Sequence, residues 1–185
     1  MRTHSTGAAR AALLLAGSLA SITASAQAVH PSFGRAATAG DVTAVDIDIR
    51  PNGAGLPAGS GTVQQGQAIY ESKCAACHGA TGVEGPRDRL VGGQGTLATA
   101  KPIKTIGSYW QYAPTLYDYV ARAMPFTAPG TLQPAEVYAV VAYLLNRNAV
   151  IDAAQVMDSK TLPLLKMPNR DGFVVESAFR NVKRK

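Results

Sequence analysis

Cys74-Ala75-Ala76-Cys77-His78 gathers both cysteines of the chain and one of its three histidines into five consecutive residues. A disulfide across so short a gap closes almost no loop and adds little stability, so chemistry explains the pair better than structure does. Two thiols three positions apart, followed at once by an imidazole, form the attachment signal of a c-type haem. On a short helical turn each thiol can bond one vinyl group, with His78 directed at the iron. A neutral imidazole nitrogen serves as ligand when the other ring N–H has an acceptor that fixes the tautomer. A backbone carbonyl of the Gly85-Pro86 loop is the expected acceptor.

Other uses of this cluster fit less well. Zinc needs about four ligands, and beyond an N-terminal leader the chain offers Cys74, Cys77, His30 and His78, with His30 far upstream. A thioredoxin-like CxxC requires a βαβ setting that the pattern lacks. One motif implies one covalent haem c. For the opposite side of the iron both cysteines are already used, which leaves Met124, Met157, Met167 or a vacant position. Met124 is favoured because it sits in a Met-Pro corner between two amphipathic helices. Met167 is also followed by proline but lies past the last helix, and Met157 reads as core filler. His/Met ligation leaves no open site for oxygen or peroxide and raises the reduction potential. Such a centre passes single electrons and is not an enzyme. An iron left open by every methionine would instead suit a haem enzyme or gas sensor.

Working outward, Gly66, Ile69, Tyr70 and Lys73 fall at helical spacing, so a helix is expected from about Val63 into Cys74. Gly79 to Gly95 is glycine-rich loop. A second helix should begin near Pro114, carry Leu116, Val120 and Ala123, and end at Met124-Pro125. The third has Gln133 at its N-cap and Pro134 in its first turn. Val137, Val140, Val141, Leu144 and Leu145 form its apolar stripe. Upstream, Val42 to Ile49 alternates enough to suggest a short extended segment, and Pro51-Asn52-Gly53 and Leu56-Pro57-Ala58-Gly59 read as turns. Past Asn148 the chain is polar and punctuated by proline, a strap over the domain or a partner. The expected fold is all-α, three main helices around one haem, with long irregular ends. Its parts are a leader over 1–28, an arm over 29–60, a haem domain over 61–150 and an extension over 151–185.

Arg2 and Arg10, the Ala/Leu run Ala11 to Ala20, and the small-x-small sites Ala24-Ser25-Ala26 and Ala26-Gln27-Ala28 have the order of a secretory signal peptide. A periplasmic location is therefore expected. No later stretch resembles a membrane span. The formal charge of +6 falls by two, to +4, when Arg2 and Arg10 leave with the signal. That is too small for a nucleic-acid binder. Arg180, Lys183, Arg184 and Lys185 hold much of the remainder, as a solvated tail or a steering patch for an acidic partner.

With these residues in place the chain resembles the class I cytochromes c. Gly66/Tyr70 and Val140/Tyr143 match the helix-crossing steps of that family. Four segments further resemble the cytochrome subunits of periplasmic molybdenum sulfite and sulfane dehydrogenases. They are Asp46 to Pro51, Leu56 to Gly61, Arg122 to Phe126, and Lys166 to Phe173. The resemblance implies Cys74 and Cys77 as haem attachment points and His78 and Met124 as axial ligands. It implies a molybdenum subunit as electron donor and a further cytochrome or oxidase as acceptor. Some members carry two haems, whereas this chain has a single CxxCH. Arg89, Tyr109 and Trp110 are candidates for hydrogen bonds to the haem propionates, and Pro86 for the pocket wall beside His78. A free-standing diffusible carrier of the same fold is the alternative to a subunit.

Overall fold

Thr62 opens the helix that leads into the CxxCH segment, through a capping box that the apolar pattern alone does not reveal. In the computed structural model, which describes residues 34–174, Gln65 N–H donates to Thr62 Oγ1 at 3.2 Å. Thr62 N–H donates in return to Gln65 Oε1 at 3.0 Å. The described residues divide into two compact units, one ending at Ala44 and the other starting at Val45. The expected signal peptide, His30 and the terminal Arg180, Lys183, Arg184 and Lys185 lie outside the described residues.

The first unit holds most of α1 (Ala39–Val45). The expected extended segment Val42 to Ile49 is corrected here, since Val42 to Val45 are helical. The reason is a second capping box. Asp41 N–H donates to Thr38 Oγ1 at 3.2 Å, and Thr38 N–H donates to Asp41 Oδ2 at 2.8 Å. These bonds satisfy the free donors of a first turn, and local capping overrides the alternation of Val42 to Ile49.

In the second unit the order is β1 (Ser60–Thr62), α2 (Val63–Lys73), α3 (Ala75–His78), α4 (Ala113–Ala123), α5 (Pro134–Arg147) and β2 (Val156–Asp158). A 3-10 turn over Leu162–Leu164 follows. The fold is mostly helical, as the periodicity requires. The small ribbon is an addition: β1 and β2 pair antiparallel with Gly61 opposite Met157. Three-residue strands give no readable alternation, so nothing in the sequence marks them.

α5 is the centre of this unit. Every residue from Val137 to Leu145 is buried, not only the expected stripe, because α2, α4, β1 and β2 all pack around it. α2 crosses it closely at Gly66. A Cβ there would stand 1.8 Å from the Ala139 carbonyl oxygen and 2.8 Å from Tyr143 Cβ. The small residue thus packs on Ala139 and Tyr143. Tyr70 packs its ring on Tyr143, as expected, with centroids 5.1 Å apart. Gly61 makes a second close approach, its virtual Cβ 2.1 Å from Ala139 N. Lys73 Nζ, in the last turn of α2, pairs with Glu136 at 2.8 Å across the crossing.

The chain after Asn148 packs against this core. Ile151, Met157, Leu162 and Met167 are all buried in it. Among the described residues no helix is long and apolar enough to cross a membrane.

Gly66→Ala should destabilise the haem-loaded protein by about 2 kcal/mol or more, since a methyl group there overlaps the backbone of α5. Urea unfolding followed by far-UV circular dichroism measures it, and an unchanged midpoint would contradict this packing.

Candidate haem-attachment site

Cys74 ends one helix and begins the next. Its N–H closes α2 on the Tyr70 carbonyl at 2.9 Å. Its own carbonyl accepts from Cys77 N–H at 3.1 Å and His78 N–H at 3.0 Å. This tight turn, α3, sets both thiols and the imidazole on consecutive positions of one short spiral. Both thiols are free, Cys74 half-buried and Cys77 exposed. Burial pushes the Cys74 thiol up to about 11, with Lys73 pulling the other way and Cys77 adding to the rise.

His78 Nδ1 lies 2.8 Å from the Asp88 carbonyl oxygen. A carbonyl can only accept, so this contact places the proton on Nδ1 and leaves the lone pair on Nε2. The acceptor is therefore Asp88, not a carbonyl of Gly85 or Pro86. Gly85 is pressed against the turn, its virtual Cβ 2.2 Å from Cys77 O and 2.3 Å from the His78 carbonyl carbon. Arg87 N–H then takes the Cys77 carbonyl at 3.0 Å, and the chain turns so that Asp88 meets the ring. Pro86 stands exposed beside this contact.

Tyr70 and Asn148 are two residues that the motif search did not single out for the site. The Tyr70 hydroxyl donates to the Gly79 carbonyl at 2.7 Å, immediately after His78. Burial, followed by the nearby Cys74, pushes this phenol up to about 12, so it remains a donor. Asn148 ends α5 and is buried. Its Oδ1 accepts from Gly92 N–H at 3.0 Å, while its Nδ2 donates to Leu90 O at 3.1 Å and Leu144 O at 2.9 Å. The loop carrying Asp88 is thereby anchored to the helix at its far end. The sequence signal was available: a polar residue closing an apolar helix.

Glu84 ties the loop's first half. It accepts from Thr81 N–H at 3.0 Å and from the Thr81 hydroxyl. The Thr81 hydroxyl, then the Thr81 N–H, hold its carboxyl at about 2, below the ordinary 4.5.

Met124 caps α4 in extended geometry, with φ −123° and ψ 149°, and its N–H bonds Val120 O at 3.1 Å. It is half-buried against the core cluster. Met167 and Met157 are fully buried, 0% and 1% exposed, and so already surrounded by protein. The Arg87 guanidinium lies 6.0 Å from the Phe126 ring, so the loops after His78 and after Met124 meet at one rim.

Tyr109 and Trp110 leave a buried knot formed by Thr105 and Ser108, in which Thr105 N–H bonds Ser108 Oγ at 2.8 Å. The Tyr109 ring sits between Lys104 Nζ, 5.0 Å away, and Phe173, 5.2 Å away. Trp110 is half-buried and meets Tyr119 of α4 edge-on at 5.7 Å. Arg89 is exposed, and among the described residues no hydrogen bond, ion pair or ring contact joins it to Tyr109 or Trp110.

These residues fit a covalent haem. Two unpaired thiols lie one turn apart, a histidine offers a fixed Nε2 lone pair, and a thioether remains part-exposed on another element. Among the described residues no group of three or more His, Cys, Asp or Glu is assembled that could hold a bare metal ion.

Comparison with known proteins agrees with this chemistry. Residues 61–144 match the family described as cytochrome c oxidase, cbb3-type, subunit III. The fold is similar to a chain in the crystal structure of the sulfane dehydrogenase SoxCD from Paracoccus pantotrophus. The TM-score is 0.73 and the identity 37%, over 82% of this chain and 75% of that one. No curated protein sequence gives a significant match.

Two outcomes follow from the anchoring of the loop. Asn148→Ala leaves the half-buried Gly92 N–H without its partner and the Leu90 carbonyl with only its bond from Ile106 N–H, and should cost about 1–3 kcal/mol in urea unfolding of the haem-loaded protein. Glu84 has a folded value below its unfolded one, so its stabilisation is complete above 4.5 and is lost as pH falls towards about 2. Glu84→Gln should therefore flatten the loss of thermal stability over that interval. An unaltered pH profile would remove Glu84 from the account.

Proposed function

The chain belongs to the class I c-type cytochromes, electron-transfer proteins with covalently bound haem c, and we propose that it is a periplasmic monohaem carrier for a molybdenum sulfite or sulfane dehydrogenase. The observation that carries this reading is the likeness to a chain of a sulfane dehydrogenase, at 37% identity over most of both chains. The single CxxCH supports one haem per chain. Oxidation of the sulfur compound would stay on the partner. The electrons would pass on to a further cytochrome or terminal oxidase.

In this reading Cys74 and Cys77 would hold the haem through thioethers, and His78 Nε2 would ligate its iron. The Asp88 carbonyl holds that ring in the tautomer it needs and makes the nitrogen a better donor. Met124 would supply the second protein ligand to the iron. Its half-burial supports this role, because a sulfur destined for iron should not be packed entirely in side chains, as those of Met157 and Met167 are. Tyr109 and Trp110, adjacent in one held segment, suit the propionates better than Arg89 does. When bound, the haem supplies a one-electron redox centre.

Two measurements test the proposal. The weak red charge-transfer absorbance of Met-ligated ferric haem should vanish in Met124→Ala and persist in Met167→Ala; the reverse would reassign the ligand. The native host should yield this cytochrome with a molybdenum protein that reduces it in the presence of sulfite or a sulfane-sulfur substrate. Reduction without a stable complex would favour a diffusible carrier, and absence of both would refute the partner.

A further inference from the structure

The extension beyond α5 does more than cover the core. From Met167 to Phe173 it contacts the segment Tyr109 to Tyr112 four separate times. Asn169 Nδ2 donates to the Tyr109 carbonyl at 2.9 Å. Gln111 Nε2 donates to the Arg170 carbonyl at 2.8 Å. The Arg170 guanidinium lies over the Tyr112 ring at 4.2 Å, and Phe173 meets Tyr109 edge-on at 5.2 Å. Arg170 is itself aimed by a bond from Nη2 to the Leu165 carbonyl at 3.2 Å. A Cβ at Gly172 would lie 1.9 Å from Asn169 Oδ1, so a side chain there would push the Asn169 amide off the Tyr109 carbonyl. Met167, without exposed surface, anchors the strap in the core.

The grip falls on the helix that ends in the distal methionine. Tyr112 is the N-cap of α4 and Met124 its C-cap. Trp110, inside the gripped segment, packs on Tyr119 midway along α4. Leu162, just ahead of the strap, is buried, and its 3-10 turn packs on α4 as well. A helix moves as a unit. Fixing its start and its flank therefore fixes the sulfur at its end.

We propose that Met167–Phe173 is a positioning strap, with Asn169 and Arg170 as its working residues, that holds α4 so that Met124 stays on the iron. This rests on the assignment of Met124 as distal ligand. Without the strap the iron–sulfur bond would still form, but hydroxide or an amine would displace it more readily.

The test uses the full-length, haem-loaded protein and follows the red ferric Met charge-transfer absorbance as pH rises. In Arg170→Ala and in Asn169→Ala the pH at which half the absorbance is lost should fall by about one unit, a tenfold shift in the ligand-exchange equilibrium. Carbon monoxide should also bind the reduced variants faster. Arg170→Lys, which keeps a cation over Tyr112, should recover most of the wild-type midpoint. A lowered melting temperature with an unmoved pH midpoint and unmoved carbon monoxide binding would make the strap merely structural and overturn the proposal. Should Arg170→Ala fail to fold, Asn169→Ala and Gly172→Ala decide by the same two readouts. The Met124 assignment is checked separately: if Met124→Ala keeps the absorbance, that assignment fails and the strap's role falls with it, whatever the strap variants do.

Discussion

The contact between Gly66 and the backbone of α5 governs the positions of nearly everything that matters in this molecule. With no side chain at Gly66, α2 settles against Ala139 at a distance that no other residue permits. Tyr70, one turn later, then lands on Tyr143, and its hydroxyl reaches the carbonyl of Gly79. That hydrogen bond fixes the end of α3, where His78 stands. The helix crossing and the attachment site are therefore one construction. A shift of α2 by a fraction of a turn would carry Cys74, Cys77 and His78 with it.

The same economy holds on the loop side. Asp88 reaches the His78 ring only because Gly85 lies flat against the motif and Asn148 holds Leu90 and Gly92 from behind. One histidine is thus oriented from three directions: by its own helical turn, by a carbonyl ten residues on, and by the end of the last helix. A backbone acceptor for Nδ1–H sets the tautomer without introducing a charge beside the iron. That suits a carrier that must gain and lose an electron without gaining or losing a proton.

Much of this was legible in the chain. The three helices begin and end close to where Val63, Pro114, Pro134 and the Met124-Pro125 pair place them, because caps and prolines act locally. CxxCH carries its chemistry in five residues and needs no tertiary context. What stayed hidden depends on distance in sequence. The partner of the His78 ring, the β1–β2 pairing and the grip of Asn169 and Arg170 on Tyr109 to Tyr112 join residues that share no period. α1 was hidden for a different reason. The Thr38/Asp41 capping box was present to be read, but the alternation of Val42 to Ile49 competed with it, and the hydrogen bonds prevail over the pattern.

The pairing of Gly61 with Met157 joins the threshold of the haem domain to a stretch that emerges from synthesis almost a hundred residues later. Until that stretch arrives, β1 keeps a bare edge, and the seats of Met157, Leu162 and Met167 stay open to water. An interrupted chain could still contain an intact CxxCH and every helix, yet it would display an unpaired strand and an apolar furrow, features that invite other chains and proteases. The ribbon therefore works as a latch: it closes only on a polypeptide that has been made at least through Asp158.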